Sequence, residues 1–261
     1  MLDAMKQKGR NLVQIIFGLS LTWTTVQAAP LTPQVADKSK VPYRYAGKLF
    51  LVGDGNEFVE LCSAQYAGAN DVVLTAAHCV IDKAGNTLHA GNLVFLHGYN
   101  ANTPLKASKV SQLVTCIALP NAYRANKPNH DYAFLKMQAA GSQGHFTLGR
   151  GMMDAEVVTS TGYPSNFNSG KELMAVHGAR TKYSDLIIKD VQLFKGNPFG
   201  DGSSGGAWVN PAKEVIGVNA KILGTPGGPA SDDNQVISPI FDDTFKKLFD
   251  YANAGCSGTN P

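Results

Sequence analysis

The 261-residue chain has no run of about 18 consecutive apolar residues, which excludes a multi-span membrane protein. Its 27 glycines and 13 prolines follow no period, so a collagen-like architecture is excluded, and their scatter points instead to many tight turns. No segment repeats at the spacing that builds a solenoid. No Lys/Arg cluster interleaves with aromatic residues, so nucleic-acid binding lacks its electrostatic footprint. The four cysteines form no Cys-x-x-Cys pair, which removes the usual zinc and thioredoxin-type frameworks.

What is present is a hydrophobic fraction of 44% against 16% charged residues, too apolar for a disordered chain and sufficient for a real core. The first residues stand apart from the rest. Lys6, Lys8 and Arg10 precede the short apolar stretch Leu12 to Leu19, and Val26-Gln27-Ala28 closes the segment with small residues. This order predicts a secretory signal peptide over 1–28. Cleavage is expected after Ala28, because a cut after Ala29 would set Pro30 against the scissile bond. Loss of 1–28 takes away three basic residues and Asp3, lowering the formal charge from +3 to +1. All four cysteines (Cys62, Cys79, Cys116 and Cys256) stay in the mature part, an even number suited to an oxidising compartment. The expected location is secreted or periplasmic, with no membrane association once the signal is gone.

Residues 29–42, rich in Pro, Lys and polar side chains, read as an extended lead-in or short pro-segment. Short strand-like segments then recur between turn signals, among them Lys48–Val52, Phe58–Ala64, Val72–Ala76, Leu93–His97, Val110–Ile117 and Tyr132–Met137. Later ones are Val157–Gly162, Glu172–His177, Leu186–Val191, Ala207–Val209, Val215–Ile222 and Gln235–Ile237. So many short strands predict an all-β sandwich or barrel rather than βαβ units. One helix is predicted near the end, where Phe241, Phe245, Leu248, Phe249 and Ala252 share a face ahead of Gly255.

Three segments carry chemistry. In Leu74-Thr75-Ala76-Ala77-His78-Cys79 a strand ends in a histidine, and a Cys62–Cys79 bridge would staple that loop to the preceding strand. By the loop-entropy argument such a bridge adds about 3 kcal/mol and limits movement of the imidazole. In Asn129-His130-Asp131-Tyr132-Ala133-Phe134-Leu135 a carboxylate leads into an apolar strand, a place that calls for a buried partner such as an imidazole N–H. In Gly200-Asp201-Gly202-Ser203-Ser204-Gly205-Gly206-Ala207-Trp208 glycines surround a serine, so adjacent N–H groups are free to form an oxyanion hole. Gly202 to Gly206 also fits the G-x-S-x-G elbow of α/β-hydrolases, but those enzymes need a histidine after the serine. All six histidines lie at or before His177, so that fold is excluded.

The order His, Asp, Ser and the three motifs together resemble the chymotrypsin/trypsin-like serine peptidases, from about Lys48 to the C-terminal helix. Within that family the chain resembles secreted bacterial trypsin-like peptidases, relatives of the glutamyl endopeptidases, which Gly162-Tyr163-Pro164 and Gly217-Val218-Asn219 also fit. The resemblance implies an all-β fold of two six-stranded antiparallel β-barrels, over 43–145 and 146–261, with the active site in the cleft between them and a C-terminal α-helix. It implies Ser204 as nucleophile, His78 as general acid/base, Asp131 as the residue orienting His78, and the N–H groups of Gly202 and Ser204 as the oxyanion hole. Four cysteines allow three connectivities; with Cys62–Cys79 taken, Cys116–Cys256 is the pair the fold implies. Pro198, Asn219, Ala220 and Lys221 are expected along the substrate pocket.

The implied activity is that of a secreted serine endopeptidase. It would act as a monomer on protein or peptide substrates through an acyl-enzyme, with no metal and no cofactor. The alternative is a catalytically silent homologue serving as an extracellular binding or adhesion module. Departures from the family pattern limit what is carried over. Ser203 stands where activated trypsins hold an Asp that pairs with a new N-terminal ammonium, and no Ile-Val-Gly-Gly activation site is present. Pro198 replaces the Asp that selects Arg or Lys, and Val218 stands where glutamyl endopeptidases place a pocket histidine.

Overall fold

Apolar segments broken by Gly-, Asn- and Asp-rich turns fold into two β-sheets and one terminal helix. The computed structural model describes residues 31–103, 105, 113–123, 128–223 and 234–261. The predicted signal peptide lies outside the described residues, as does the start of the strand expected at Val110–Ile117.

The first sheet contains β2 (Ala46–Val52), β3 (Phe58–Tyr66), β4 (Val72–Thr75), β5 (Leu93–His97), β6 (Val114–Ala118) and β7 (Ala133–Met137). Their order is β5-β2-β3-β4-β7-β6, and every pairing is antiparallel. A bridge between Val94 and Leu113 brings the edge strands β5 and β6 together, which removes the open edges a flat sheet would expose. Leu49, Val73, Phe95 and Leu135 fill the interior.

The second sheet is larger. Six of its strands form the wall: β9 (Glu156–Gly162), β10 (Met174–Tyr183), β11 (Val191–Lys195), β12 (Ala207–Val209), β13 (Glu214–Val218) and β15 (Gln235–Pro239). Three short strands are added to them: β1 (Gln34–Val35) on β10, β8 (Thr147–Leu148) on β13, and β14 (Lys221–Leu223) on β15. The β8–β13 pairing is parallel, so the expectation of a wholly antiparallel barrel holds everywhere but at this edge. The chain crossing from the first sheet to the second runs beside β13 here, and a crossing segment is free to pair in either sense. The whole has the trypsin-like double-barrel fold.

Two strand expectations are corrected. Leu186–Val191 is not a strand up to Val191, where β11 begins. The Asp185 carboxylate accepts hydrogen bonds from the N–H groups of Ile187 and Ile188, and Tyr183 Oη donates to it. That side-chain turn outcompetes the strand propensity of the aliphatic run and leaves Leu186 96% and Ile187 81% exposed. The segment Val215–Ile222 is broken at Asn219-Ala220, between β13 and β14.

Both chain ends cross over. The lead-in, which precedes the first sheet, lies on the second: Gln34 and Val35 pair with Ala175 and Met174, and the Ala36 N–H donates to the Leu173 carbonyl. Leu31 packs beside Phe194, over Gly178 and Gly196. Lys38 Nζ then donates to the Tyr99 carbonyl, 3.0 Å away, where the chain leaves β5. At the other end α1 (Asp243–Asn253) follows the second sheet but packs on the first. Its N-cap Asp242 accepts from the Phe245 N–H, and Phe245, Leu248, Phe249 and Ala252 are buried. Phe245 lies 5.2 Å from the Tyr132 ring and 5.0 Å from the Phe134 ring. Cys256 is bonded to Cys116 of β6.

Candidate active site

His78 follows the end of β4 in a 3-10 turn (Ala77–Val80), and Asp131 sits just before β7, after a second such turn (Pro128–His130). Because Thr75 of β4 pairs with Ala133 of β7, the two side chains leave the same end of neighbouring strands. The Cys62–Cys79 disulfide ties the His78 turn to β3 across a separation of 17 residues.

Asp131 is buried and uses both carboxylate oxygens on one residue. Oδ1 accepts the backbone N–H of His78 at 2.9 Å, and Oδ2 lies 2.8 Å from His78 Nδ1. A carboxylate offers only acceptors, so Nδ1 must be the protonated nitrogen. Nε2 is left with a lone pair able to take a proton. Burial on its own pushes the imidazole pKa down; the hydrogen bond to Asp131 and its negative charge together outweigh this, and the net direction is upward. The His78 side chain keeps 33% of its surface exposed, toward the cleft.

Ser204 lies on the opposite wall, in the loop between β11 and β12. Gly202 and Gly205 in that loop have positive φ, +85° and +79°. Both positions exclude a side chain for a second reason. A Cβ on Gly202 would stand 2.7 Å from the Tyr163 carbonyl oxygen, and one on Gly205 would stand 2.1 Å from Thr75 Oγ1. The glycines let the loop turn back against β3 and β4, so that Ser204 lines the same cleft as His78.

Ser204, His78 and Asp131 line one cleft of about 400 Å³. Ala220, Lys221, Ile222 and Val236 form its far wall. Among the described residues the N–H groups of Gly202 and Ser204 have no acceptor. Two unpaired donors beside a hydroxyl and an imidazole free at Nε2 suit a reaction in which an oxygen anion forms next to Ser204. Ser204 Oγ and His78 Nε2 make no hydrogen bond to each other among the described residues, as is common before substrate tightens such a site. Cys62, Cys79 and His78 are close enough to suggest metal ligands, but the two sulfurs are bonded to each other and offer no thiolate.

Of the residues expected along the pocket, the structure brings Asn219, Ala220 and Lys221 to the cleft and leaves Pro198 buried and away from its lining. The Pro198 carbonyl is taken up by Asn166 Nδ2. Asn219 serves the scaffold. Its Nδ2 donates to the carbonyls of Thr161 and Ser203, and its Oδ1 accepts from Ser160 Oγ and Trp208 Nε1. Sequence reasoning had no reason to single out Ser63 and Gln65 of β3, which also hold the Ser204 loop. The available signal was polar residues at alternate positions of a strand that is otherwise apolar beyond Cys62.

A family profile described as trypsin-like peptidase domain matches residues 62–218, more than half of the chain. No curated protein sequence matches. Solved structures with the same fold include a thermostable serine protease, AL20, from an extremophilic microorganism, with 22% identity and a TM-score of 0.62 over 82% of this chain and 98% of that one. The protease Anisep from Arthrobacter nicotinovorans is 20% identical, with a TM-score of 0.63 over 87% of this chain and 100% of that one. A Glu endopeptidase in complex with MPD is 20% identical, with a TM-score of 0.66 over 86% of this chain and 97% of that one.

Proposed function

Because the chain belongs to the trypsin-like peptidase family and is a serine-type endopeptidase, we infer that it cleaves peptide bonds through an acyl-enzyme on Ser204, with His78 and Asp131 as its partners. The observation that carries this reading is the pairing of a buried Asp131 with His78 Nδ1 in the cleft that Ser204 lines. In the first half-reaction Ser204 Oγ attacks the peptide carbonyl carbon while His78 Nε2 takes the hydroxyl proton. The negative charge moves to the carbonyl oxygen, where the N–H groups of Gly202 and Ser204 receive it. The tetrahedral intermediate collapses as His78 delivers its proton to the leaving amine. Water then repeats the steps on the ester: His78 takes a proton from it, and Ser204 leaves with that proton. Asp131 keeps the imidazole in the tautomer that begins the cycle and stabilises the imidazolium in between.

The protein works outside the cytoplasm on protein or peptide substrates, by this reading. Two disulfides suit an oxidising compartment, and the signal-like start at 1–28 supplies the export route. No described helix is long and apolar enough to cross a membrane.

The test is a fluorophosphonate probe on the mature protein followed by intact mass. A single adduct on wild type, lost in Ser204→Ala and slowed in His78→Ala, is the expected outcome. Peptidase activity that survives Ser204→Ala and responds to a metal chelator would overturn the assignment.

A further inference from the structure

Among the described residues the loop carrying Ser204 makes no ion pair. Ser203 stands before the nucleophile, and its hydroxyl is used inside the loop on the Gly200 carbonyl, 2.7 Å away. Yet every carbonyl from Gly200 to Gly206 is held. Ser165 N–H binds Asp201 O, Asn219 Nδ2 and Gly206 N–H bind Ser203 O, and Asn219 N–H binds Gly206 O. The other three are held from the first barrel: Ser63 Oγ on Gly202 O at 2.8 Å, Ser63 N–H on Ser204 O at 2.8 Å, and Gln65 Nε2 on Gly205 O at 2.9 Å. With the carbonyls turned away and tied, the N–H groups left without an acceptor among the described residues are those of Gly202, Ser204 and the exposed Asp201.

Within this set the Ser63 hydroxyl occupies a special place. It donates to Gly202 O and accepts from the Tyr163 N–H at 2.8 Å, so one buried oxygen joins β3, the turn after β9 and the Ser204 loop. Gly202, like Gly205, has no Cβ to restrict its backbone, so its φ of +85° depends on the contacts its peptide groups make. Resting on the reading of Ser204 as nucleophile, we propose that Ser63 is a positioning residue whose hydroxyl fixes Gly202 so that its N–H faces the cleft in the newly folded chain, without an activating cleavage. Neutral hydrogen bonds from the first barrel do here what a buried ion pair does in an activated trypsin.

Removing the hydroxyl leaves the half-buried Gly202 carbonyl and the buried Tyr163 N–H without this partner, and rotation about Gly202, which carries no Cβ, relieves the carbonyl. Loss of an oxyanion donor outright lowers kcat about 100- to 1,000-fold, so loss of its support is expected to lower kcat about 10- to 100-fold. The substitution leaves the far wall of Ala220, Lys221, Ile222 and Val236 unchanged, so KM is expected to stay within about threefold.

The experiment compares wild type with Ser63→Ala and Ser63→Gly for kcat, KM and two affinities: for a peptide boronate, which forms the tetrahedral adduct, and for the corresponding product peptide. Boronate affinity is expected to fall by the same factor as kcat, with product affinity unchanged. A general loss of structure would not move that ratio. Should Ser63→Ala not fold, the glycine variant, which leaves room for a water at the Tyr163 N–H, gives the same reading. A kcat and a boronate-to-product ratio within twofold of wild type, in either folded variant, overturns the proposal alone. Absence of fluorophosphonate labelling on wild type overturns the functional reading and this proposal with it.

Discussion

Replacing Asn219 by alanine tests whether that side chain is scaffold or pocket. The side chain is almost fully enclosed and makes four hydrogen bonds, to Thr161 O, Ser203 O, Ser160 Oγ and Trp208 Nε1. These losses are unequal. The Ser203 carbonyl keeps the Gly206 N–H, and the Ser160 hydroxyl is able to rotate, but the indole N–H of the fully buried Trp208 makes no other hydrogen bond among the described residues. An orphaned buried donor costs about 1–3 kcal/mol and each of the three weakened partners about 0.5–1 kcal/mol, which gives a loss of about 2.5–6 kcal/mol for Asn219→Ala. That is a large share of the roughly 5–15 kcal/mol that separates folded from unfolded domains. Urea unfolding of the disulfide-bonded protein, monitored by tryptophan fluorescence, measures it. Asn219→Asp sharpens the test, since it keeps the acceptor for Trp208 but points an anion at two carbonyls. Its buried carboxyl is expected to have a raised pKa, so this variant should regain stability as pH falls and the group becomes a donor. A loss below about 1 kcal/mol for Asn219→Ala, with affinity for peptides changed instead, would refute the scaffold assignment.

The upward-shifted His78 places the rising limb of kcat/KM against pH above the ordinary histidine value of about 6.5. Asp131→Asn removes the hydrogen bond and charge that raise it, leaving burial alone, so the limb should move below that value while the rate falls by orders of magnitude. The sign for stability is opposite: the His78–Asp131 pair contributes fully below the unfolded histidine pKa, and its contribution fades as pH rises through the folded one. Deleting 29–36, which removes Leu31, the β1 pairing and Ala36, should lower stability by about 2–4 kcal/mol without raising activity; a faster enzyme after deletion would show the lead-in to be inhibitory. Leu186→Ser and Ile187→Ser should each stay within about 0.5 kcal/mol of wild type in thermal melts, whereas Phe245→Ala should cost about 3–5 kcal/mol.

The parts of the site legible in the sequence were those announced by contiguous residues. His78 beside Cys79, Asp131 at the mouth of an apolar strand and Ser204 among glycines each form a local pattern, and local patterns survive without knowledge of distant contacts. The double barrel followed from many short strands together with those motifs. The terminal helix followed from the Phe241, Phe245, Phe249 spacing and ends where Gly255 takes a φ of +71°. Failures came where a distant or side-chain partner decides. Leu186-Ile187-Ile188 has the composition of a strand, but one carboxylate, Asp185, captures its N–H groups first. Ser63 and Gln65 read as ordinary strand residues because their partners, Gly202 and Gly205, lie about 140 residues away. Asn219 does reach the cleft, as its place beside β13 suggests, but its hold on Ser160, Thr161, Ser203 and Trp208 is not legible, because those partners are set by the fold.

The crossing of both chain ends has a consequence for the order of events in synthesis. Residues 46–137 emerge first, yet their sheet presents Tyr132 and Phe134 to a helix that begins only at Asp243, and Cys116 waits for Cys256. The lead-in appears earlier still and has no sheet to join until β10 arrives. A nascent or truncated chain therefore holds at most half a cleft, with His78 and Asp131 on one side and nothing opposite. The cleft is complete only once the Ser204 loop and the wall from Ala220 to Val236 have joined His78 and Asp131, so a chain stopped before them carries the histidine and carboxylate without the serine or its wall.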